Sequence, residues 1–266
     1  MKTVNSNLVE KELSVIKCNI EKSSIKLPYG KLIRSQIGIL ATKALGLDCC
    51  GNYLKFLTAV ELIHNASLLH DDVIDNEEMR RNKKTLNYEQ NNKTAVLSGN
   101  LVLTEALENI ISTGSLRLLS IANSAVKNMC LGELMQKKQE FKIPKIEQYI
   151  EKTKLKTGTL FMCTLSGISE ISKCKNSDNL IAFGENFGIA FQIQNDLKNV
   201  SGSDIKNGIY TAPIIFSQSV DIKKQAVEKT LSLINNYIQK AINNLDFLAD
   251  CEYKRALIGV CECLKT

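Results

Sequence analysis

Residues 59–85 read AVELIHNASLLHDDVIDNEEMRRNKKT, and the order of residue types in this stretch decides the fold. Leu62, Ala66, Leu69 and Val73 recur at spacings of four, three and four, which marks one apolar stripe along an α-helix. A polar stripe runs beside it: His64, Ser67, Asp71 and Asp75 lie at i, i+3, i+7 and i+11 and share a face. Asp71 and Asp75 stand one turn apart, with Asp72 flanking them. Three carboxylates so close repel one another and weaken a helix that has no other use for them. A hard divalent cation lifts that penalty. Mg²⁺ takes oxygens from few protein ligands and leaves positions open for phosphate. A solvated acidic helix end would give the same spacing, but the context favours the metal. His64 and His70 lie on the approach, and Arg80 and Arg81 follow within ten residues. Metal and arginine at one helix end suit a diphosphate leaving group.

The rest of the chain agrees with a helical protein. It has 266 residues, 3 Pro, 14 Gly and 6% aromatic residues, a composition that favours long helices over many short strands. Helical periodicity is strong over 54–74, 180–200 and 221–248, the last carrying Leu231, Ile234, Ile238, Ala241 and Leu245. Breaks fall at 26–29, 87–92, 143–145 and 201–208. With no repeat, low-complexity tract or linker, the expected fold is all-α: a single-domain helical bundle of about ten helices over residues 1–266. No run of 18 apolar residues occurs, and residues 1–21 are polar, so no transmembrane segment or secretory signal is expected and the protein is read as cytoplasmic. The 9 Cys are odd in number and form no CxxC pair, which fits reduced, scattered thiols. The net charge of +6 comes from lysines spread along the chain without interleaved aromatics, and no nucleic-acid motif is present.

The quoted stretch resembles the first aspartate-rich motif of the trans-polyprenyl diphosphate synthases, and further motifs follow the family's order. YGKLIR resembles the Gly-Lys-x-x-Arg signature for isopentenyl diphosphate and supplies Lys31 and Arg34. His64 and Arg81 match the rest of that site, and Arg80 matches the arginine on the allylic diphosphate. GELMQ resembles a characteristic helix segment. LKTGTLF resembles the Lys-Thr motif, with Lys156 and Thr157 on the allylic diphosphate. FQIQNDLKN stands where the second motif, FQIxDDxxD, belongs, and Gln192 and Asp196 match it. The resemblance covers 30–213, about two-thirds of the chain. It implies a class I isoprenoid synthase bundle around a central cavity, Mg²⁺ on Asp71, Asp72, Asp75, Asn195 and Asp196, and a dimer of like or related subunits. It implies condensation of an allylic diphosphate with isopentenyl diphosphate. Small residues at Ala66 and Ser67, where short-chain enzymes place aromatics, imply a product of C20 or longer.

The chain departs from the family at several points. Asn82 and Lys84 replace a usual Gly and Pro. Asn195 and Asn199 replace the first and third aspartates of the second motif, the first of which holds a third Mg²⁺ in the family. The following loop is shortened at 201–203, and Ile209 stands where a lysine belongs. An amide offers one neutral oxygen in place of an anion, and loss of one electrostatic contact can cost about 10²–10³ in rate. A slowed synthase is the first expectation. A weakly active or regulatory subunit of a heteromeric synthase is the second. A divergent prenyltransferase or terpene-cyclase-like enzyme is the third, although Ser203 stands where a cyclase needs Glu. A helical binding protein without diphosphate chemistry is the last.

Overall fold

The structure, a computed structural model, describes residues 6–26, 30–200 and 205–265. Its helices are α1 (Glu10–Glu21), α2 (Ile33–Ala44), α3 (Asn52–Ile74), α4 (Leu86–Glu89), α5 (Asn92–Ile111), α6 (Leu116–Gln139), α7 (Ile146–Thr153), α8 (Thr159–Ser172), α9 (Ser177–Lys198), α10 (Ala212–Ser217), α11 (Lys224–Asn243) and α12 (Glu252–Glu262). A π-turn, Lys154–Gly158, joins α7 to α8. The described residues contain one sheet, a hairpin of β1 (Met79–Arg80) and β2 (Lys83–Lys84). The all-α expectation holds.

The bundle is organised by α3. Phe56, Leu57, Val60, Leu62 and Ile63 are buried around its N-terminal half, as in a helix enclosed on all sides. It packs along α5 and crosses α8, while α9 lies between α8 and α11. Ala66 is 2% exposed in this core, and the cavity wall is made instead by its neighbour Ser67. Leu69 and Val73 are half-buried, so the apolar stripe loosens toward the acidic end.

The expected boundaries shift slightly. The helix read over 221–248 ends at Asn243, and Leu245 and Leu248 enter the core from the turn behind it. Thr230, satisfied by the Ala226 carbonyl, takes the buried position expected of Leu231. The break at 87–92 narrows to 90–91, because α4 fills its first half. Asn91 then caps α5, its side chain accepting from Thr94 N at 2.9 Å. Residues 27–29 of the first break and 201–204 of the last lie outside the described residues.

Candidate active site

A cavity of about 910 Å³ opens between α2, the second half of α3, the hairpin, α6, the π-turn and α9. Its basic end is built where α2 begins. Leu32, the N-cap of α2, sits in the left-handed region at φ 51, which costs an ordinary residue about 1–2 kcal/mol. Burial of its side chain offsets that cost. Lys31 and Arg34, on either side of this bend, both line the cavity. The third amide of α2 is capped from a neighbouring helix: Glu61 Oε1 accepts from Ser35 N at 3.0 Å and Ser35 Oγ at 2.9 Å. Arg34 lies 4.7 Å above the Phe161 ring, and its buried Nε has no hydrogen-bond partner.

One turn beyond Glu61 stands His64. Burial, and then Arg34, Arg81 and Arg80, hold its pKa well below the ordinary value, so the imidazole is neutral near pH 7. It adds hydrogen-bonding capacity without more charge. Arg81 arrives from the hairpin. Both turn residues, Arg81 (φ 52) and Asn82 (φ 61), are left-handed, as a two-residue type I′ turn requires. Asparagine tolerates that region, so the lost glycine leaves the turn intact. The Arg81 guanidinium lies against the bare Cα of Gly30, where a Cβ would stand 2.6 Å from Nη2.

The acidic end combines α3, α6 and the π-turn. Asp71 lines the cavity, and burial, with Glu133 and Asp75 nearby, pushes its carboxyl up to about 6 against the pull of Lys156 and Arg80. Asp75 moves the same way, for burial first and then Glu133 and Glu77. Lys156 pairs with Glu133. Burial alone would lower the Lys156 pKa, but Asp71, Glu133 and Asp75 together raise it. A π-turn is a rare device, often found at functional sites. Here it turns both Lys156 and Thr157 to the cavity. Close packing accommodates it: Gly188 of α9 meets Gly158, and Gly132 of α6 meets the Lys156 backbone.

From the π-turn a chain of hydrogen bonds crosses to α9. Thr157 Oγ1 donates to Gln192 Oε1 at 3.0 Å, and Gln192 Nε2 donates to Asp196 Oδ1 at 2.6 Å. Tyr149 Oη donates to Asp196 Oδ2 at 2.6 Å. Burial, then Asp196, raises the Tyr149 pKa well above its usual value, so it stays a donor.

The structure therefore gathers Lys31, Arg34, His64, Asp71, Arg80, Arg81, Lys156, Thr157, Gln192 and Asn195 around one cavity. Asp75 stands beside them, within electrostatic reach of Lys156. Two residues expected as metal ligands are placed differently. Asp72 is 5% exposed, holds Arg80 Nε at 2.5 Å and is not in the cavity wall. Asp196 spends both oxygens on Gln192 and Tyr149. Each sits one residue past a lining position, about 100° round its helix. Ser203 lies outside the described residues. Glu61 and Tyr149 are not among the expected site residues, and Glu133 enters the sequence reading only as part of the GELMQ segment, without a role. Glu61 carried one signal, a carboxylate inside the apolar run 56–63.

The sequence model of polyprenyl synthetases matches residues 20–245. The chain belongs to the polyprenyl synthetase family. It is similar to a decaprenyl-diphosphate synthase of Dictyostelium discoideum, 31% identical over 86% of this chain and 58% of that protein. It is also 30% identical to the octaprenyl diphosphate synthase of Escherichia coli, over 87% of this chain and 84% of that one. The chain thus spans little more than half the length of some curated polyprenyl synthetases and most of others. The solved polyprenyl synthase from Caulobacter crescentus, complexed with calcium and isoprenyl diphosphate, shares the fold with TM-score 0.91 at 22% identity. That match covers 99% of this chain and 98% of the other. A heptaprenyl diphosphate synthase from Staphylococcus aureus shares it at TM-score 0.86 and 23% identity, over 97% and 98% of the two chains. No described helix is long and apolar enough to cross a membrane.

The acidic end suits a hard cation shared with substrate. Among the described residues no three His, Cys, Asp or Glu side chains group closely enough to hold a metal by themselves. Asp71 and Asp75 are oxygen donors whose charge the protein leaves under-compensated, as their raised pKa values record. Mg²⁺ characteristically binds through one or two carboxylates, with substrate phosphates and water completing its octahedron.

Proposed function

We propose that this chain, acting as a single domain, is a Mg²⁺-dependent prenyltransferase. It joins isopentenyl diphosphate to an allylic diphosphate and releases a trans-polyprenyl diphosphate of C20 or longer, at a rate reduced by its altered second motif. The observation that carries this reading is the division of one cavity into two cationic ends, with Asp71 and Glu133 in the wall of one and only Glu61, engaged with Ser35, in the wall of the other. Lys31, Arg34, neutral His64 and Arg81 form an anion site without acid in its wall except the capping Glu61. That site suits the diphosphate that stays intact. Arg80, Lys156, Thr157 and Gln192 surround the carboxylate end and suit the diphosphate that leaves.

When bound at Asp71 and Asp75, with Asn195 as a neutral oxygen donor across the cavity, Mg²⁺ supplies neutralisation of the leaving diphosphate. The protein's own part is position and field. Lys156 and Arg80 face negative charge as it grows on the departing group, where fixed cations are most effective. Asp72 holds Arg80 in that pose, and the Thr157–Gln192–Asp196–Tyr149 chain fixes the Gln192 amide. Phe191, Leu68 and Met129 give the cavity an apolar wall suited to the hydrocarbon chain of an allylic substrate. The double bond of isopentenyl diphosphate attacks that carbon, the carbon–oxygen bond to diphosphate breaks, and the lost proton goes to the departing diphosphate. Ser67 and Cys130 leave room beyond the first motif for a long product.

A partner-dependent subunit is the second reading. It is favoured by the neutral Asn195 and the fully engaged Asp196, which leave the α9 wall without a free carboxylate. Leu97, Leu101 and Ile111 of α5 and Leu116 and Leu134 of α6 are exposed, and burial of such side chains against a second copy or a related subunit suits either reading. Incubation with Mg²⁺, labelled isopentenyl diphosphate and C5, C10, C15 or C20 primers tests the proposal. Chain-extended products from the purified chain support catalysis. Binding of isopentenyl diphosphate with no product from any primer contradicts it and leaves the partner-dependent subunit.

A further inference from the structure

We propose that Glu133 is the exchange partner of Lys156: its carboxylate competes with a diphosphate for the Lys156 ammonium, so Glu133 sets how tightly the cavity grips pyrophosphate. This rests on the proposed function only in taking a diphosphate as the ligand.

The geometry isolates the pair. Glu133 projects from α6 into the cavity wall, and Lys156 reaches it from the π-turn. Their backbones are held in register by Gly132, where a Cβ would stand 2.7 Å from Lys156 N. Both side chains are therefore aimed by rigid elements. Glu133 Oε1 also accepts from Gln136 Nε2 at 3.2 Å, which keeps the carboxylate in place if Lys156 turns away. Asp71 on α3 and Asp75 at its C-cap act on Lys156, and Arg80 of the hairpin acts in turn on those two carboxylates. Arg80 is already committed to Asp72. Lys156 is thus the cation that three carboxylates compete for.

The consequence is a balance. An ammonium already paired gains less from a phosphate oxygen than an unpaired one, because the carboxylate must first be displaced. A site that makes pyrophosphate must also release it, and a grip as strong before and after the reaction does not speed the chemical step. Glu133 weakens the resting grip of Lys156, while a fully charged leaving group still displaces it.

Calorimetric titration with inorganic pyrophosphate at saturating Mg²⁺ tests this on the wild type, Glu133→Gln, Lys156→Met and the double variant. Glutamine preserves shape and the bond to Gln136, and thermal melts verify folding. Glu133→Gln is expected to tighten pyrophosphate binding about three- to tenfold, roughly the strength of a modest ion-pair coupling. In the Lys156→Met background the same change should move the dissociation constant by less than twofold. Equal tightening in both backgrounds would mean that Glu133 acts through Asp71, Asp75 or the ligand directly, which overturns the proposal, as would weaker or unchanged binding in Glu133→Gln. Because pyrophosphate binding needs no turnover, a chain that makes no product would sink the prenyltransferase reading and leave this test standing.

Discussion

Replacing Asp71 by asparagine should make the metal-free protein more stable while removing its metal-dependent chemistry. Asp71 titrates at about 6 rather than 3.8 because burial, Glu133 and Asp75 together outweigh Lys156 and Arg80. At about 1.4 kcal/mol per pH unit, that gap disfavours the folded state by roughly 3 kcal/mol once pH exceeds both values. The carboxyl faces an open cavity, and solvent there reduces the figure to about 1–3 kcal/mol. The attraction of Lys156 and Arg80 is already contained in the net shift. For a chain of this size about 1 kcal/mol corresponds to roughly 2–4 °C in Tm, so Asp71→Asn should melt about 2–12 °C above wild type in EDTA at pH 7.5. The sign fixes the pH dependence. A raised carboxyl pKa means that the folded state binds more protons, so wild type loses stability as pH rises from 3.8 through about 6. The gap between the two proteins should be full above pH 7 and close as pH falls toward 4. Mg²⁺ with pyrophosphate should raise the wild-type Tm and leave the variant nearly unmoved. Scanning calorimetry across this pH range decides it. A variant that melts at or below wild type in EDTA, or a gap as wide at pH 4 as at pH 8, would refute the argument.

Other expectations follow from single contacts. Asn82→Val places a β-branched residue at φ 61 and should cost about 1–2 kcal/mol, read as a lower Tm, whereas Asn82→Gly should leave Tm unchanged. Gly30→Ala should displace the Arg81 guanidinium and raise KM for isopentenyl diphosphate with little change in Tm, since the obstructed group is the end of a flexible side chain. Burial pushes the thiols of Cys49, Cys163 and Cys261 up to about 12, so brief iodoacetamide labelling at pH 8, read by mass spectrometry, should mark exposed Cys18, Cys50 and Cys130 and spare those three.

Much of the site was legible because its chemistry repeats with the helix. His64, Ser67, Asp71 and Asp75 follow one face of α3, and that face does border the cavity or its acidic end. The same arithmetic, carried one step further, would have set Asp72 and Asp196 apart, since each lies one residue beyond a lining position. The role of Glu61, and that of Glu133 within the GELMQ segment, were hidden for another reason. A single acid on a helix is ordinarily a solvated charge, and only the approach of the π-turn and of α2 from distant parts of the chain gives these two their partners. The π-turn itself left no periodic signal. It depends on Gly132 and Gly188 meeting residues 156–158 across helices, a tertiary fact that local propensity does not carry.

The most direct test is the rate at which a labelled allylic diphosphate loses diphosphate in the presence of isopentenyl diphosphate, measured against Mg²⁺ concentration for wild type, Asp71→Ala and Asn195→Asp. The expected result is a slow, Mg²⁺-saturable rate that Asp71→Ala abolishes and Asn195→Asp raises about tenfold or more, because a carboxylate then stands in the α9 wall of the same cavity. A rate unaffected by Asp71→Ala or by EDTA, or one that Asn195→Asp lowers, would contradict it.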